Sequence, residues 1–171
     1  MIESDLIEVI SMDYPKRKSI RLQAFDYYAG AYFVTICTQD RRCILSDILV
    51  GEGLAPPVCR QTEIGNIVEK EIQAIPERYH NVKIEKYVIM PNHIHMIVMI
   101  HAGAGGASPS PTLIDVVRVI KSMSARKSIG ARLWQRSYHE HVIRNEQDYL
   151  EIWNYIDTNP SKWALDRYYN K

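Results

Sequence analysis

Aromatic and β-branched residues crowd positions 31–39 (AYFVTICTQ), which reads as a buried strand. Between 61 and 79 the apolar residues Ile64, Ile67, Val68, Ile72 and Ile75 return at helical spacing with Glu and Lys between them, predicting an amphipathic helix. Segments 82–90 and 93–101 read as two further strands joined by a Pro91-Asn92 turn. The second alternates cleanly: Ile94, Met96, Val98 and Ile100 share one face, while His93, His95, Ile97, Met99 and His101 share the other. Leu113, Val116, Val117, Ile120 and Met123 then mark the buried stripe of a second helix. Residues 133–144 read as a fourth strand. From Asn145 or Glu146 a last helix carries Tyr149, Ile152, Trp153 and Ile156 on one stripe. Residues 40–60, with GEGLAPP, read as a surface excursion, and 102–111 as a flexible linker of small residues that lacks the Walker pattern.

The order strand, helix, two strands, helix, strand is the α+β, ferredoxin-like arrangement, an antiparallel sheet with both helices on one face. The other face is left for a ligand or the C-terminal helix. With 171 residues, 46% hydrophobic and 24% charged, the chain is expected to form a single domain over 1–171, without internal repeats. No apolar run reaches the ~20 residues of a membrane span, and the first residues are acidic where a signal peptide would be basic, so a cytoplasmic location and no membrane partner are expected. Cys37, Cys43 and Cys59 form an odd set without a C-x-x-C pair and are expected to be free thiols.

The net charge of +1 conceals an uneven distribution. An acidic lead-in over 1–15 holds Glu3, Asp5, Glu8 and Asp13, whereas Lys16, Arg17, Lys18 and Arg21 follow without an acid. The acid-free stretch 116–139 contains Arg118, Lys121, Arg126, Lys127, Arg132 and Arg136, a local field able to attract a polyanion. A solvated helix face balanced by acids elsewhere would explain the same residues.

Two histidine pairs stand at strand spacing. His93 and His95 project to one side and make half of a divalent-metal site, but His139 and His141 repeat the pattern, and spacing alone does not choose between them. Tyr155 lies off the apolar stripe of the last helix, so core packing alone does not account for it, and Asn159 falls on the same side one turn later, just before Pro160. An amphipathic surface tyrosine and an Asn C-cap would explain the same two residues.

The strings Val88-Ile89-Met90-Pro91-Asn92-His93-Ile94-His95, Leu133-Trp134-Gln135-Arg136-Ser137-Tyr138, His141-Val142-Ile143-Arg144-Asn145 and Tyr155-Ile156-Asp157-Thr158-Asn159-Pro160 occur in this order. Together with the openings at 17–22 and 32–38 they resemble the single-tyrosine HUH transposases, in the REP-associated tyrosine transposase branch, over about residues 16–163. The resemblance implies that His93 and His95 bind a catalytic Mg²⁺ or Mn²⁺, that Tyr155 is the nucleophile, and that Asn159 completes the metal site. His141 matches a recurrent position without an assigned role, and His139 matches none. It also implies a homodimer and a single-stranded DNA substrate folded into hairpins. Attack by the tyrosine would give a covalent 5′-phosphotyrosine and a free 3′-OH, and because the bond energy is conserved, strands can be rejoined without ATP.

On that reading the basic residues of 116–139 hold backbone phosphates, Trp134 and Tyr138 are candidates for stacking on unpaired bases, and Arg17, Lys18 and Arg21 reach a hairpin stem or a guide sequence. Packing within the sheet is the alternative for the two rings. A non-catalytic nucleic-acid-binding module would explain the basic stretch without Tyr155 or the histidines, although the aromatic RNA-binding sheet motif is not evident. A zinc hydrolase ranks last, because HExxH spacing and a general-base carboxylate are missing.

Overall fold

The computed structural model describes residues 30–49, 57–101, 111–128 and 132–169. The acidic lead-in, Arg17, Lys18 and Arg21, and linker residues 102–110 lie outside the described residues. In chain order the elements are β1 (Gly30–Cys37), β2 (Ser46–Leu49), β3 (Val58–Gln61), α1 (Glu63–Gln73), α2 (Ile75–Arg78), β4 (Val82–Ile89), β5 (His93–Ile100), α3 (Leu113–Lys127), β6 (His139–Ile143) and α4 (Glu146–Thr158), followed by a 3-10 turn over Pro160–Leu165. The main sheet runs β4-β5-β1-β6 with every neighbour antiparallel, so the fold is the expected α+β arrangement.

Strand alternation divides the apolar residues between two faces. Tyr32, Val34, Ile36, Ile94, Met96, Val98 and Ile100 pack under α1 and α3 through Val68, Ile72, Val116 and Ile120. On the opposite face Phe33 and Ile97 meet Ile152 and Ile156 of α4. Side-chain caps begin three of the helices. Thr62 accepts from the Gly65 amide, Thr112 and Asp115 form a capping box, and Asn145 accepts from the Asp148 amide at 2.9 Å.

Three segments depart from the expectation. Residues 40–60 contain the β2–β3 hairpin, anchored by buried Leu45 and by the Ser46 hydroxyl, which donates to the Ile89 carbonyl at 2.8 Å. Four-residue strands carry too little alternation to show in the sequence. The helix expected over 61–79 is divided at Ala74, because Pro76 has no N–H for the carbonyl one turn back. Only residues 139–143 of the expected fourth strand pair with β1. The preceding stretch crosses the end of β1, where the Gln39 amide donates to the Leu133 carbonyl and the Gln135 amide to the Cys37 carbonyl.

Cys37, Cys43 and Cys59 are unpaired. Among the described residues no helix is long and apolar enough to cross a membrane.

Candidate active site

The site sits on the α4 face, at the end of the sheet where β5 begins. His93 and His95 are 0% and 1% exposed. A buried imidazole must be hydrogen-bonded, and both are. The side-chain amide of Asn92 donates to the carbonyls of Tyr168 at 2.7 Å and Arg41 at 3.3 Å, which turns its oxygen toward His93. His93 therefore donates from Nδ1 to Asn92 Oδ1 at 2.8 Å and keeps an unprotonated Nε2. Thr35, directly opposite His95 in the β1–β5 register, bonds its Nδ1 at 2.8 Å. The two Nε2 atoms converge at 2.9 Å and share one proton. Moving it to His95 Nδ1, where the Thr35 hydroxyl oxygen can accept it, would turn the lone pairs of two neutral imidazoles on a single point.

Burial pushes the His93 imidazole down to about 3, assisted by the Arg167 and Arg41 guanidinium groups. His95 is also held well below its ordinary value, by burial, by His93 and by Arg167. Neutral imidazoles are the form that binds metal.

The α4 helix brings Tyr155 to this pair. Ile152 and Ile156 bury their side chains against Phe33 and Ile97, which rotates the adjacent Tyr155 toward His95. Its hydroxyl lies 3.4 Å from His95 Nε2, and its ring meets Phe33 edge-on with centroids 5.9 Å apart. Asn159 caps α4 immediately before Pro160 and is 2% exposed. Its amide donates to Asp166 Oδ2 at 3.1 Å, while its Oδ1 is buried without a partner. Asp166 brings a carboxylate to the histidine pair, the ligand atoms of His93, His95 and Asp166 all lying within 4.8 Å of one another. No pattern in the sequence marks Asp166, which is brought in by the 3-10 turn after α4. Beyond it, Trp163 and Tyr168 cover His93 with ring centroids at 6.0 and 4.7 Å.

The second histidine pair is not assembled in this way. His141 donates from Nε2 to Asp148 at 2.8 Å and ties β6 to the first turn of α4. His139 and His141 line one cleft with Phe33, Thr35, Glu140 and Arg167.

The candidate DNA-binding residues are dispersed. Trp134 is 7% exposed, and its indole N–H donates to Ser124 Oγ at 2.9 Å, so it is a core residue with no face available for a base. Half-buried Tyr138 packs against the same core. Lys121 donates to the carbonyls of Gln135, Arg136 and Ser137, Lys127 pairs with buried Glu71, and Arg118 pairs with Asp115. Arg126, Arg132 and Arg136 are exposed. Glu71 and Asp115, outside 116–139, and backbone carbonyls within it thus engage half of the six basic residues that looked unbalanced in sequence.

No protein-family model matches the chain. The fold is that of a REP-associated tyrosine transposase solved bound to a REP hairpin, with a TM-score of 0.62 and 21% identity over 87% of this chain and 77% of that one. In sequence, an uncharacterized protein of Haemophilus influenzae is 33% identical over 173 residues, covering 90% of this chain and 93% of that protein. The chain belongs to the family of that Haemophilus protein.

Proposed function

We propose that this protein is a metal-dependent single-tyrosine transposase that cleaves and rejoins single-stranded DNA at hairpins through a 5′-phosphotyrosine on Tyr155. One observation carries the reading: the Tyr155 hydroxyl lies 3.4 Å from His95 Nε2, in a site whose two imidazole Nε2 atoms converge at 2.9 Å. The hairpin bound to the protein of like fold supports a hairpin substrate.

The donor set fits a divalent ion, since two neutral imidazoles and the Asp166 carboxylate are gathered within 4.8 Å, and the Asn159 amide that holds Asp166 has an orphaned buried oxygen. Two imidazoles suit Mn²⁺ better than Mg²⁺, which prefers oxygen ligands. Such an ion, once bound, offsets the charge of the non-bridging oxygens that repel a nucleophile. Asn92 and Thr35 hold the imidazoles in orientation, and Asn159 holds Asp166. Tyr155 Oη attacks phosphorus and gives up its proton, the bond from phosphorus to the 3′ oxygen breaks, and the released 3′ oxygen takes a proton. A later 3′-OH reverses the step. Of the basic residues of 116–139, Arg126, Arg132 and Arg136 are exposed and are the ones offered to backbone phosphates.

One observation favours a second reading, a non-catalytic DNA-binding module: the imidazole pair is wholly covered, and a phosphate reaches it only if the segment bearing Trp163 and Tyr168 moves. Incubation with 3′-labelled single-stranded hairpins and Mn²⁺ or Mg²⁺ separates the two. The transposase reading predicts a protein–DNA adduct that Tyr155→Phe abolishes while hairpin binding persists, and a metal requirement lost in His93→Ala but kept in His139→Ala. Salt-dependent binding with no adduct under either metal would favour the module.

A further inference from the structure

Strand β4 departs from regular pairing at one point. Ile84 lies opposite Val98, yet Lys86 rather than Glu85 lies opposite Ile97, so Glu85 is an extra residue in the ladder. Without it Lys86 would stand opposite Met96, on the face packed under α1 and α3. The bulge turns Lys86 to the other face, the one carrying Ile97, His95 and α4. Bulges next to active sites re-aim side chains in this manner.

On that face Lys86 reaches two residues of α4. Its Nζ is 2.5 Å from Asp157 Oδ1 and 4.1 Å from the centre of the Trp153 ring, and the side chain is only 17% exposed. Trp153 and Asp157 are one helical turn apart and bracket Tyr155, two residues before and two after. An apolar side chain at position 86 would bury the helix equally well, but dispersion and hydrophobic contacts have little directionality. An ammonium held between a carboxylate and a ring face fixes both the rotation and the translation of the helix.

We propose that Lys86, re-aimed by the bulge at Glu85, is the positioning residue for Tyr155, gripping α4 on both sides of the nucleophile so that its hydroxyl meets the histidine pair. This rests on the function proposed above. Lys86 touches neither substrate nor metal, so its loss should slow the covalent step without weakening DNA binding.

The test compares the full-length protein with Lys86→Met, Lys86→Arg and Asp157→Asn, measuring hairpin affinity and the single-turnover rate of adduct formation at saturating hairpin with Mn²⁺. Lys86→Met should lower the rate roughly 10- to 100-fold, the scale that a misplaced reacting group costs. Its Kd should stay within about twofold, and Lys86→Arg should restore most of the rate. If Lys86→Met does not fold, Asp157→Asn carries the test, because it removes one contact at a side chain that is 56% exposed. An unchanged rate in Lys86→Met, or in Asp157→Asn when that variant stands in, overturns the inference alone. So does a rate loss matched by an equal loss of affinity, or one that Lys86→Arg does not relieve. Absence of adduct from the wild type overturns the parent reading together with this one.

Discussion

The two faces of the main sheet are held by different physics. Along β5, Ile94, Met96, Val98 and Ile100 enter a large aliphatic core under α1 and α3, while His93, His95 and Ile97 face α4. The first face is secured by burial, which is strong but has little direction. The second has a smaller core, with Phe33, Ile97, Ile152 and Ile156 fully buried among the described residues and Val88, Met99 and Ile143 partly so. It is also fastened by directional contacts, with Lys86 on Asp157 and Trp153 at one end of α4 and His141 on Asp148 at the other. A face with few fully buried apolar residues is where buried imidazoles can be accommodated, provided each polar atom finds a partner, as Asn92 and Thr35 ensure.

That contrast can be broken from either side. The largest effect is expected on the polar face, where His93→Ala or His95→Ala should lower adduct formation by roughly 10²–10³-fold, the scale of losing a principal electrostatic stabiliser. Either change should also abolish the rise in melting temperature on adding Mn²⁺. On the aliphatic face Met96→Ala should cost about 2–5 kcal/mol in urea unfolding, as a large-to-small core change does. Its rate per folded molecule should be retained. If Met96→Ala instead abolished adduct formation while the protein stayed folded, the faces would not be separable.

Acid sharpens the same division. In the ion-free protein His93 takes a proton only near pH 3, whereas an unfolded imidazole does so near 6.5. The unfolded state therefore binds more protons between these values. The stabilising contribution is complete above about pH 6.5 and is lost as pH falls toward about 3, with His95 acting in the same direction. Urea midpoints should decline over this window, and the decline should be shallower in His93→Gln, which cannot titrate there.

Smaller effects come from the residues that the structure reassigns. Trp134→Phe should lower stability by about 1–3 kcal/mol, the cost of leaving a buried hydrogen-bonding partner unmatched, with hairpin affinity unchanged. Arg126→Ala, Arg132→Ala and Arg136→Ala should each reduce the salt slope of hairpin binding by about one. A loss of affinity in Trp134→Phe at unchanged stability would restore the stacking role.

Strand order and the two-faced pattern of β5 were legible in the sequence because alternation and helical spacing are local. The histidine pair and Tyr155 were legible as candidates for a related reason, since strand spacing aligns two imidazoles and the tyrosine falls off an apolar stripe. What sequence could not supply was register. Thr35 becomes the partner of His95 only through the β1–β5 pairing, and Lys86 faces α4 only because Glu85 is bulged. Asp166 arrives through the turn after Pro160, with no periodic pattern to announce it. For Trp134 sequence left stacking and packing both open, because its core partner Ser124 lies on a different element. Charge suffered the same blindness, as Glu71 neutralises Lys127 from 56 residues away.

Two tyrosines stand beside the histidine pair, Tyr155 with ring centroids 5.2 Å from His95 and Tyr168 at 4.7 Å from His93. The most direct test is therefore peptide mapping by mass spectrometry after reaction with a single-stranded hairpin and Mn²⁺. The account predicts a nucleotide phosphate on the peptide containing Tyr155, absent from Tyr155→Phe. A phosphate mapped to Tyr168, or an undiminished adduct in Tyr155→Phe, would contradict it.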